Sequence, residues 1–379
     1  MNQQQCDFMG NQKGKAKRTL KALLLTDLDR VDLEIPARGN VINRRVDAAI
    51  SFEYSSNFQK MEKMENENEL LSLTGLRFVA AFYVFVFHIH ISWPLTNIKY
   101  LKNIFDQGAI GMSLFFILSG FVLAYRYAGV ETSLKTYYIN RFSRIYPIYL
   151  AAAVATLPWI GLSFIDYSIV NLLRTIAQGV FLVFANIFLI QAWFPQFFSY
   201  WNNGGSWSIS VEAFCYLLLP FLLPTLLRFS LKSLLLFLTV CYLLTIVSGL
   251  SATLFPGVPF PVYYSMPIFR LPEFLIGVCT FLFLKNLNEN IFTDWHQLIV
   301  LIVLITYLVI FGPVISNYIG HNWIIVPFIA FMIYTLSNGK GVFAKILAHP
   351  ISVWLGRISY SFYSFQVLVI KLLIDYKEN

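Results

Sequence analysis

From residue 70 onward, long apolar stretches alternate with short polar breaks. A helix needs about 20 apolar residues to cross the hydrocarbon core of a membrane, and ten stretches approach that length. Their predicted bounds are 74–93, 109–127, 145–163, 171–193, 207–227, 233–251, 266–284, 297–315, 321–337 and 353–373. The breaks carry turn-forming residues, as in "FPQFFSYWNNGGS" at 194–206. The pattern predicts an all-α, polytopic transmembrane helical bundle of about ten spans.

Polar residues are concentrated at the N-terminal end of the chain. Of 28 basic and 20 acidic residues, 11 of each sign lie within the first 69 positions. Low hydrophobicity is typical of disorder, so we expect residues 1–69 to form a polar, largely disordered cytoplasmic segment before a transmembrane domain at 70–379. The basic cluster between Lys13 and Lys21 is either a solvated tail or a contact with anionic lipid.

The composition excludes several classes of protein. Hydrophobic residues make up 57% of the 379 positions and charged residues 13%, with a mean hydropathy of +0.63, which is outside the range of soluble domains. The net charge of +8 belongs to the membrane domain, where basic residues are scattered, so no binding to nucleic acid is expected. The four cysteines lack CxxC spacing, so we expect neither a disulfide framework nor a metal site.

The distribution of basic residues predicts the orientation of the first spans. The basic N-terminal segment and four residues between the second and third spans agree on the cytoplasmic side: Arg126, Lys135, Arg141 and Arg144. Ten full spans would place five later basic residues on the extracytoplasmic side, against the positive-inside rule: Arg228, Lys232, Lys285, Lys340 and Lys345. Either one segment within 145–193 is re-entrant, or helix packing overrides charge in the second half.

The first predicted span contains two ionisable residues, Arg77 and His88. Eleven positions of α-helix rise about 16 Å and return to within about 20° of the same face, so both side chains are predicted to point the same way. Ionisable groups inside a membrane are costly and are candidates for function. The structural alternative is an interfacial Arg77 and a His88 bonded to a neighbouring helix. His90 is predicted on the opposite side.

Two stretches carry candidates for ligand binding. In "GMSLFFILSGFVLAYRY" at 111–127, Ser119 and Gly120 allow close approach of either a helix or a ligand chain. In "RFSRIYP", Arg141 and Arg144 share a helix face. Paired guanidiniums bind phosphates through bidentate hydrogen bonds, and anchoring by positive charge is the alternative.

The fifth span opens with a polar face in "WSISVEAFCYLLLP". Ser208 and Glu212 lie four residues apart and face together, with Trp207 and Ser210 beside them. A carboxylate in an apolar span needs a partner, and pairing with a histidine or an arginine would adjust its protonation.

Two later stretches add polar residues. In "FRLPEFLIG", Arg270 and Glu273 are either an architectural pair or part of a site, with Pro272 predicted in the first helical turn. The last span begins with three residues that either line a cavity or anchor the helix at the interface: Arg357, Ser359 and Tyr360.

The motifs GxSxG, GxGxxG, HxxxxD and the P-loop are absent from the sequence. The chain instead resembles the acyltransferase-3 family of integral membrane acyltransferases. Six elements carry the resemblance in the family's order across residues 70–374: Arg77 with ten residues before His88, "GMSLFFILSGF", "RFSRIYP", "WSISVEAFCYLLLP", "RLPEFLIG" and "LGRISYSFYSFQVLVI".

The resemblance implies an O-acyltransferase in a bacterial inner (cell) membrane, with its N-terminus cytoplasmic. Such an enzyme moves an acyl group, commonly acetyl, from acyl-CoA to a hydroxyl of an extracytoplasmic carbohydrate or glycolipid, as in O-acetylation of polysaccharides. Partners are then the acyl-CoA donor, the acceptor and the lipid bilayer, without a metal. No extracytoplasmic esterase domain is expected after Asn379.

The resemblance also implies roles for individual residues. His88 is the catalytic histidine, Arg77 its motif partner and Glu212 the acidic residue of the "WSxSxE" motif. Arg141 and Arg144 resemble the family's paired arginines, which are attributed to the donor. Beyond the resemblance, we expect the donor to bind along Ser119 and Gly120 and the substrate at Ser113, Trp207, Ser208 and Ser210. Family members often have Asp at the position of Ser113, which puts any charge relay through that position in doubt.

Three hypotheses for function follow. In the first, His88 acts as a general base on the acceptor hydroxyl, with transient acylation of the imidazole as a second route. In the second, the buried Arg, His and Glu residues form the proton relay of a proton-coupled permease or flippase for a glycolipid or small solute. The third keeps the histidine chemistry but takes a lipid or a protein as acceptor.

Overall fold

The computed structural model describes residues 70–162, 168–255, 263–286 and 294–378, and the predicted N-terminal segment 1–69 lies outside them. All regular structure in these ranges is helical. The helices of six or more residues are α1 Leu71–Ser92, α2 Lys99–Asp106, α3 Ile110–Tyr127, α4 Leu134–Ala155, α5 Ile169–Ile187, α6 Asn203–Leu226, α7 Leu231–Leu244, α8 Ile246–Leu254, α9 Pro267–Asn286, α10 Asp294–Thr306, α11 Val326–Leu336, α12 Val342–Leu347 and α13 Pro350–Glu378.

Eight segments of the described chain are long and apolar enough to cross a membrane, by length and composition: Leu71–Ser92, Ile110–Tyr127, Ile169–Ile187, Asn203–Leu226, Leu231–Leu250, Pro267–Asn286, Asp294–Phe311 and Pro350–Tyr376. The prediction of an all-α polytopic bundle is confirmed. The predicted span 145–163 falls on the second half of α4, whose first half carries the basic residues. The predicted span 321–337 falls on a shorter apolar helix, Gly320–Leu336.

Local sequence explains where several helices begin. Ser133 caps α4 by accepting a hydrogen bond from the Thr136 amide, at 3.2 Å. Pro267 occupies the first position of α9, where its missing amide proton costs nothing. Pro272 therefore lies inside the helix and not in its first turn. That detail of the sequence prediction is wrong because the helix starts five residues earlier than Pro272.

Helix α13 runs parallel to α1. A Cβ on Gly356 would overlap the carbonyl oxygen of Thr74 near the start of α1. Further along, the Phe362 ring lies 5.8 Å from the ring of Phe78 and 5.1 Å from that of Phe85. We name the half of the bundle beside the N-terminal half of α1 the lower half, and the other the upper half.

Candidate functional site

A charged cluster lies in the lower half of the bundle around Glu212 of α6. The Glu212 carboxylate interacts electrostatically with Arg144 and Arg141 of α4 and with Arg77 of α1, and it accepts a hydrogen bond from the Tyr216 hydroxyl. Three helices that are far apart in sequence thus bring four predicted site residues together. A carboxylate among guanidiniums is electrostatically compensated, which allows these charges to lie inside a helical bundle.

The two arginines of α4 have different environments. Arg144 is exposed, whereas Arg141 is only 8% exposed and its guanidinium carbon lies 5.6 Å from the ring centre of Tyr127. Arg141 Nε and the hydroxyls of Tyr127 and Tyr137 are buried without a hydrogen-bond partner among the described residues. Burial raises the pKa of Tyr137, so its hydroxyl stays protonated as a donor. Such a set of donors suits an anionic group.

His88 lies in the upper half of α1 and is half-buried. Its Nδ1 is 3.3 Å from Oε1 of Gln366 in α13, and Gln366 is only 1% exposed. With the Gln366 amide assigned so that its oxygen faces the ring, Nδ1 is the donor and Nε2 is the acceptor nitrogen of that tautomer. An imidazole in that tautomer can take a proton from a hydroxyl group.

The second histidine of the helix points elsewhere. His90 is buried, with Nε2 at 3.6 Å from Asp106 Oδ1 of α2. Its Nδ1 accepts a hydrogen bond from the Leu95 amide at 3.0 Å. His90 therefore joins α1 to the segment that follows it, and only His88 of the two pairs with α13.

Ser119 and Gly120 lie on different faces of α3. The Ser119 hydroxyl is 3.3 Å from that of Tyr216, which connects it to the cluster around Glu212. A Cβ on Gly120 would overlap the carbonyl oxygen of Phe274, so Gly120 faces α9 in a tight helix contact. Helix packing accounts for this glycine, and its part in donor binding stays a prediction.

A buried ion pair lies on α9, between Arg270 and Glu273. The Arg270 Nη2 and Glu273 Oε2 atoms are 3.0 Å apart, and both side chains are at most 1% exposed. Ser113 donates a hydrogen bond to Glu273 Oε1 at 3.0 Å. With its amide oxygen turned towards the guanidinium, Asn322 accepts from Arg270 Nη1. A buried charge pair held in this way suits an architectural role.

Aromatic rings complete the surroundings of Arg270. The guanidinium carbon lies 5.1 Å from the ring centre of Phe116, 5.2 Å from that of Tyr264 and 5.8 Å from that of Trp207. The negative ring faces favour the cation, so α3, α6, α9 and the segment that precedes α9 are joined at this point.

The four residues predicted for substrate binding lie in three places. Ser113 and Trp207 contact the buried ion pair described above. Ser208 lies 2.7 Å from the hydroxyl of Tyr363 in α13, and Ser210 donates to a main-chain carbonyl ahead of α6 at 2.5 Å. All four are buried, and no direct contact joins them to His88 among the described hydrogen bonds. Their role in substrate binding stays a prediction.

Sequence reasoning missed three residues of these sites. Tyr216 lies four positions after Glu212 on the same helix, a spacing that could have identified it. Gln366 and Tyr363 lie in the last quoted motif, but no local pattern pairs either with α1 or α6. Within the described ranges, no three His, Cys, Asp or Glu side chains are grouped as a metal site would require.

Together, the fold and these side chains define a polytopic membrane protein with charged residues and a histidine gathered inside its helices. The family model of the acyltransferase domain, of the acyltransferase-3 type, matches residues 70–378. The chain therefore belongs to the acyltransferase-3 family, as the sequence motifs predicted.

Individual relatives agree with this assignment. The chain is 34% identical to the acyltransferase MdmB of Streptomyces mycarofaciens over 40% of its length and 38% of the relative. It is 27% identical to a predicted acetyltransferase of Acidianus two-tailed virus over 85% of the chain and 90% of the relative. A predicted O-acetyltransferase of Staphylococcus aureus (strain COL) is 25% identical over 84% of the chain but 53% of the relative's own length. No solved structure matches the chain with significant similarity.

Proposed function

We propose that this protein is a membrane O-acyltransferase that moves an acyl group, acetyl in the simplest case, from acyl-CoA to a hydroxyl of an extracytoplasmic carbohydrate or glycolipid. Family membership supports the reaction class, and names given to relatives, including O-acetyltransferase, support acetyl transfer to oxygen. The donor, the acceptor and the sides of the membrane are parts of the proposal.

The donor's phosphates would bind at Arg141 and Arg144, in the lower half of the bundle, which the proposal places on the cytoplasmic side. Arg144 is exposed and can meet a ligand in solution, whereas Arg141 presents a buried guanidinium beside two tyrosine hydroxyls that lack partners in the described structure. These unmet donors support a phosphate site because each would gain a charge-assisted hydrogen bond. Lys135, two residues into α4, adds a further positive charge nearby in sequence.

The acyl thioester would lie deeper, at the level of His88. His88 and Arg77 are about 16 Å apart along α1, so a donor bound at the lower charged cluster must reach upward through an extended arm. His88 Nε2 takes the proton of the acceptor hydroxyl while the hydroxyl oxygen forms a bond to the thioester carbonyl carbon. The carbon–sulfur bond then breaks, and the leaving thiolate takes the proton back from the imidazolium. The imidazole returns to its starting state.

Arg77 and Glu212 would act on the donor side of this reaction. Glu212 interacts with Arg77 and with the two arginines of α4, so a polyanion bound there competes with the carboxylate for the three guanidiniums. Arg77 lies on the same face of α1 as His88 and can stabilise negative charge that develops on the way to the products.

The observation that carries the proposal is one helix, α1, with a hydrogen-bonded imidazole in its upper half and an arginine in the charged cluster of its lower half. To test it, we would reconstitute the purified protein in liposomes and follow thiol release from acetyl-CoA with and without de-O-acylated surface glycan from the source cells. Mass spectrometry of the glycan would identify the transferred group.

His88→Ala should lower transfer by roughly 10²–10⁴-fold while the protein still inserts and folds, with a modest loss of stability because the Gln366 oxygen loses its partner. His349→Ala is the matched control because that histidine is exposed at the start of α13, and it should transfer normally. Arg141→Lys should raise the KM for acetyl-CoA, with exposed Arg228→Lys as its control. Full transfer by His88→Ala would reject the assignment. Solute flux without consumption of acetyl-CoA would select the transporter hypothesis instead.

A further inference from the structure

The chain between α5 and α6 lies partly inside the bundle. This segment, 188–202, contains only two short 3₁₀ turns, yet the Leu189 carbonyl accepts a hydrogen bond from Ser210, two turns into α6. Leu189 and Trp201 both have positive φ, at 57° and 51°, a conformation unfavourable for such side chains. Within a membrane, non-helical backbone is tolerated where it is buried in protein or lines a water-filled cavity.

Two of the four buried amide side chains at this segment hold its conformation. Asn186 donates to Asn203 Oδ1 at 2.9 Å and accepts a hydrogen bond from the Tyr149 hydroxyl at 2.7 Å. Asn203 in turn donates to the Phe197 carbonyl at 3.0 Å. Their hydrogen bonds to side chains and backbone account for these two residues as architecture.

The other two amide side chains each have a buried oxygen without a hydrogen-bond partner among the described residues. Gln191 donates through Nε2 to the Ser206 carbonyl at 3.1 Å, but its Oε1 has no partner among the described residues. The Asn202 Oδ1 atom likewise lacks one, and the two side chains are 3% and 2% exposed. Both residues lie at the start of α6, since Gln191 bonds to the Ser206 carbonyl and Asn202 directly precedes the helix. An unmet buried acceptor is costly, which points to a ligand that donates hydrogen bonds.

The Asn202 oxygen lies near the turn of α13 that carries Gln366, the partner of His88. A Cβ on Gly205 would lie 3.8 Å from Asn202 Oδ1 and would overlap the side chain of Val367, the residue after Gln366. The Gln366 Nε2 atom is itself buried without a partner in the described structure. Gln191, Asn202 and Gln366, which we name the amide cluster, therefore offer two acceptors and one donor around this contact of α6 with α13, and Gln366 joins the cluster to His88.

Neutral amides of this kind suit a ligand with hydroxyl groups. A hydroxyl both donates and accepts, so neighbouring hydroxyls can satisfy the carbonyl oxygens of Gln191 and Asn202 and the amide of Gln366. An anionic ligand would be repelled by the two carbonyl oxygens. Half-buried aromatic rings of the same segment, such as Phe198 beside Gly204, add apolar surface for the face of a sugar ring.

We propose that the amide cluster is the acceptor subsite: it binds one neutral sugar ring of the acceptor and brings a hydroxyl of that ring to His88 Nε2. The inference rests on the proposed acyl transfer and adds the place and the chemistry of acceptor binding. Gln366 then has two functions, since its oxygen holds the imidazole and its nitrogen faces the sugar.

The test uses Asn202→Ala in the full-length protein in liposomes, with de-O-acylated surface glycan as the titrated probe. Losing one neutral hydrogen bond should raise the glycan concentration for half-maximal transfer by roughly three- to tenfold. Hydrolysis of acetyl-CoA without glycan, and its KM, should stay at the wild-type values. Asn202→Asp keeps an acceptor oxygen and should recover much of the glycan affinity.

Two further variants separate a loss of glycan binding from a loss of folding. Asn203→Ala removes an architectural amide, so it should lower the melting temperature without a selective change in glycan dependence. Gln191→Met supplies a second subsite variant if Asn202→Ala melts early. Normal glycan dependence in a folded Asn202→Ala protein would overturn the acceptor subsite and leave acyl transfer intact. A wild type that neither hydrolyses acetyl-CoA nor acylates glycan would overturn the proposed function as well.

Discussion

Replacing Gln366 with leucine tests how much the reaction depends on the position of one imidazole. Leucine keeps most of the volume in α13 but removes the oxygen that lies 3.3 Å from His88 Nδ1. A neutral hydrogen bond of this length contributes about 0.5–1.5 kcal/mol. If all of that orienting energy is lost in the transition state, kcat falls roughly two- to twelvefold. The effect is much smaller than the loss expected for removing the base itself.

The assay is the initial rate of acyl transfer at saturating acetyl-CoA and saturating glycan, with the melting temperature measured on the same liposomes. The matched control is Gln297→Leu, because Gln297 is also a buried glutamine and donates to the Thr335 and Lys340 carbonyls, away from His88. Gln297→Leu should lower stability and leave kcat per folded protein unchanged. Equal kcat values for Gln366→Leu and the wild type would refute the orienting role.

Two further predictions concern the interior contacts. Arg270→Met should destabilise the protein by roughly 3–5 kcal/mol because it leaves Glu273 as an unpaired buried charge. Combining Arg270→Met with Glu273→Leu should recover most of that loss. Unfolding in detergent measures both variants, and equal losses of stability for the single and the double variant would contradict the argument. Gly120→Val should destabilise the protein by about 1–3 kcal/mol, because the valine side chain would overlap a main-chain carbonyl of α9 that cannot rotate away. A Gly120→Val protein with wild-type stability would show that α3 and α9 can separate without cost.

Local sequence predicted most of the long apolar helices, but not the short helices α2 and α12 or the first half of α4. The apolar stretches identify the spans because a membrane-crossing helix must satisfy its backbone internally and present apolar side chains. Arg77 and His88 were predicted on one face of α1 from their spacing alone. In the structure, Arg77 interacts with Glu212 of α6 and His88 with Gln366 of α13.

The partners of these residues could not be predicted, because they are set by tertiary packing. His88 and Gln366 are 278 positions apart, and no periodicity relates them. Glu212 had either a histidine or an arginine as its expected partner, and the packing of α4 against α6 brings arginines to it. The stretch 194–206 was predicted as a break between spans. Hydrophobicity does not reveal that the main-chain carbonyl of Leu189, just before this stretch, accepts a hydrogen bond from Ser210 in α6.

Close helix packing explains how an imidazole on a membrane helix can have a fixed position. Gly356 lets α13 approach the Thr74 carbonyl at the start of α1, where any side chain would prevent the contact. The Phe362 ring then fills the space between Phe78 and Phe85. With contacts at these levels, α13 cannot rotate about its axis, so the side chain one turn further on, Gln366, must face His88. For the proton transfer that we propose, helix packing therefore holds the imidazole in place before any substrate binds, and binding free energy need not be used to position it.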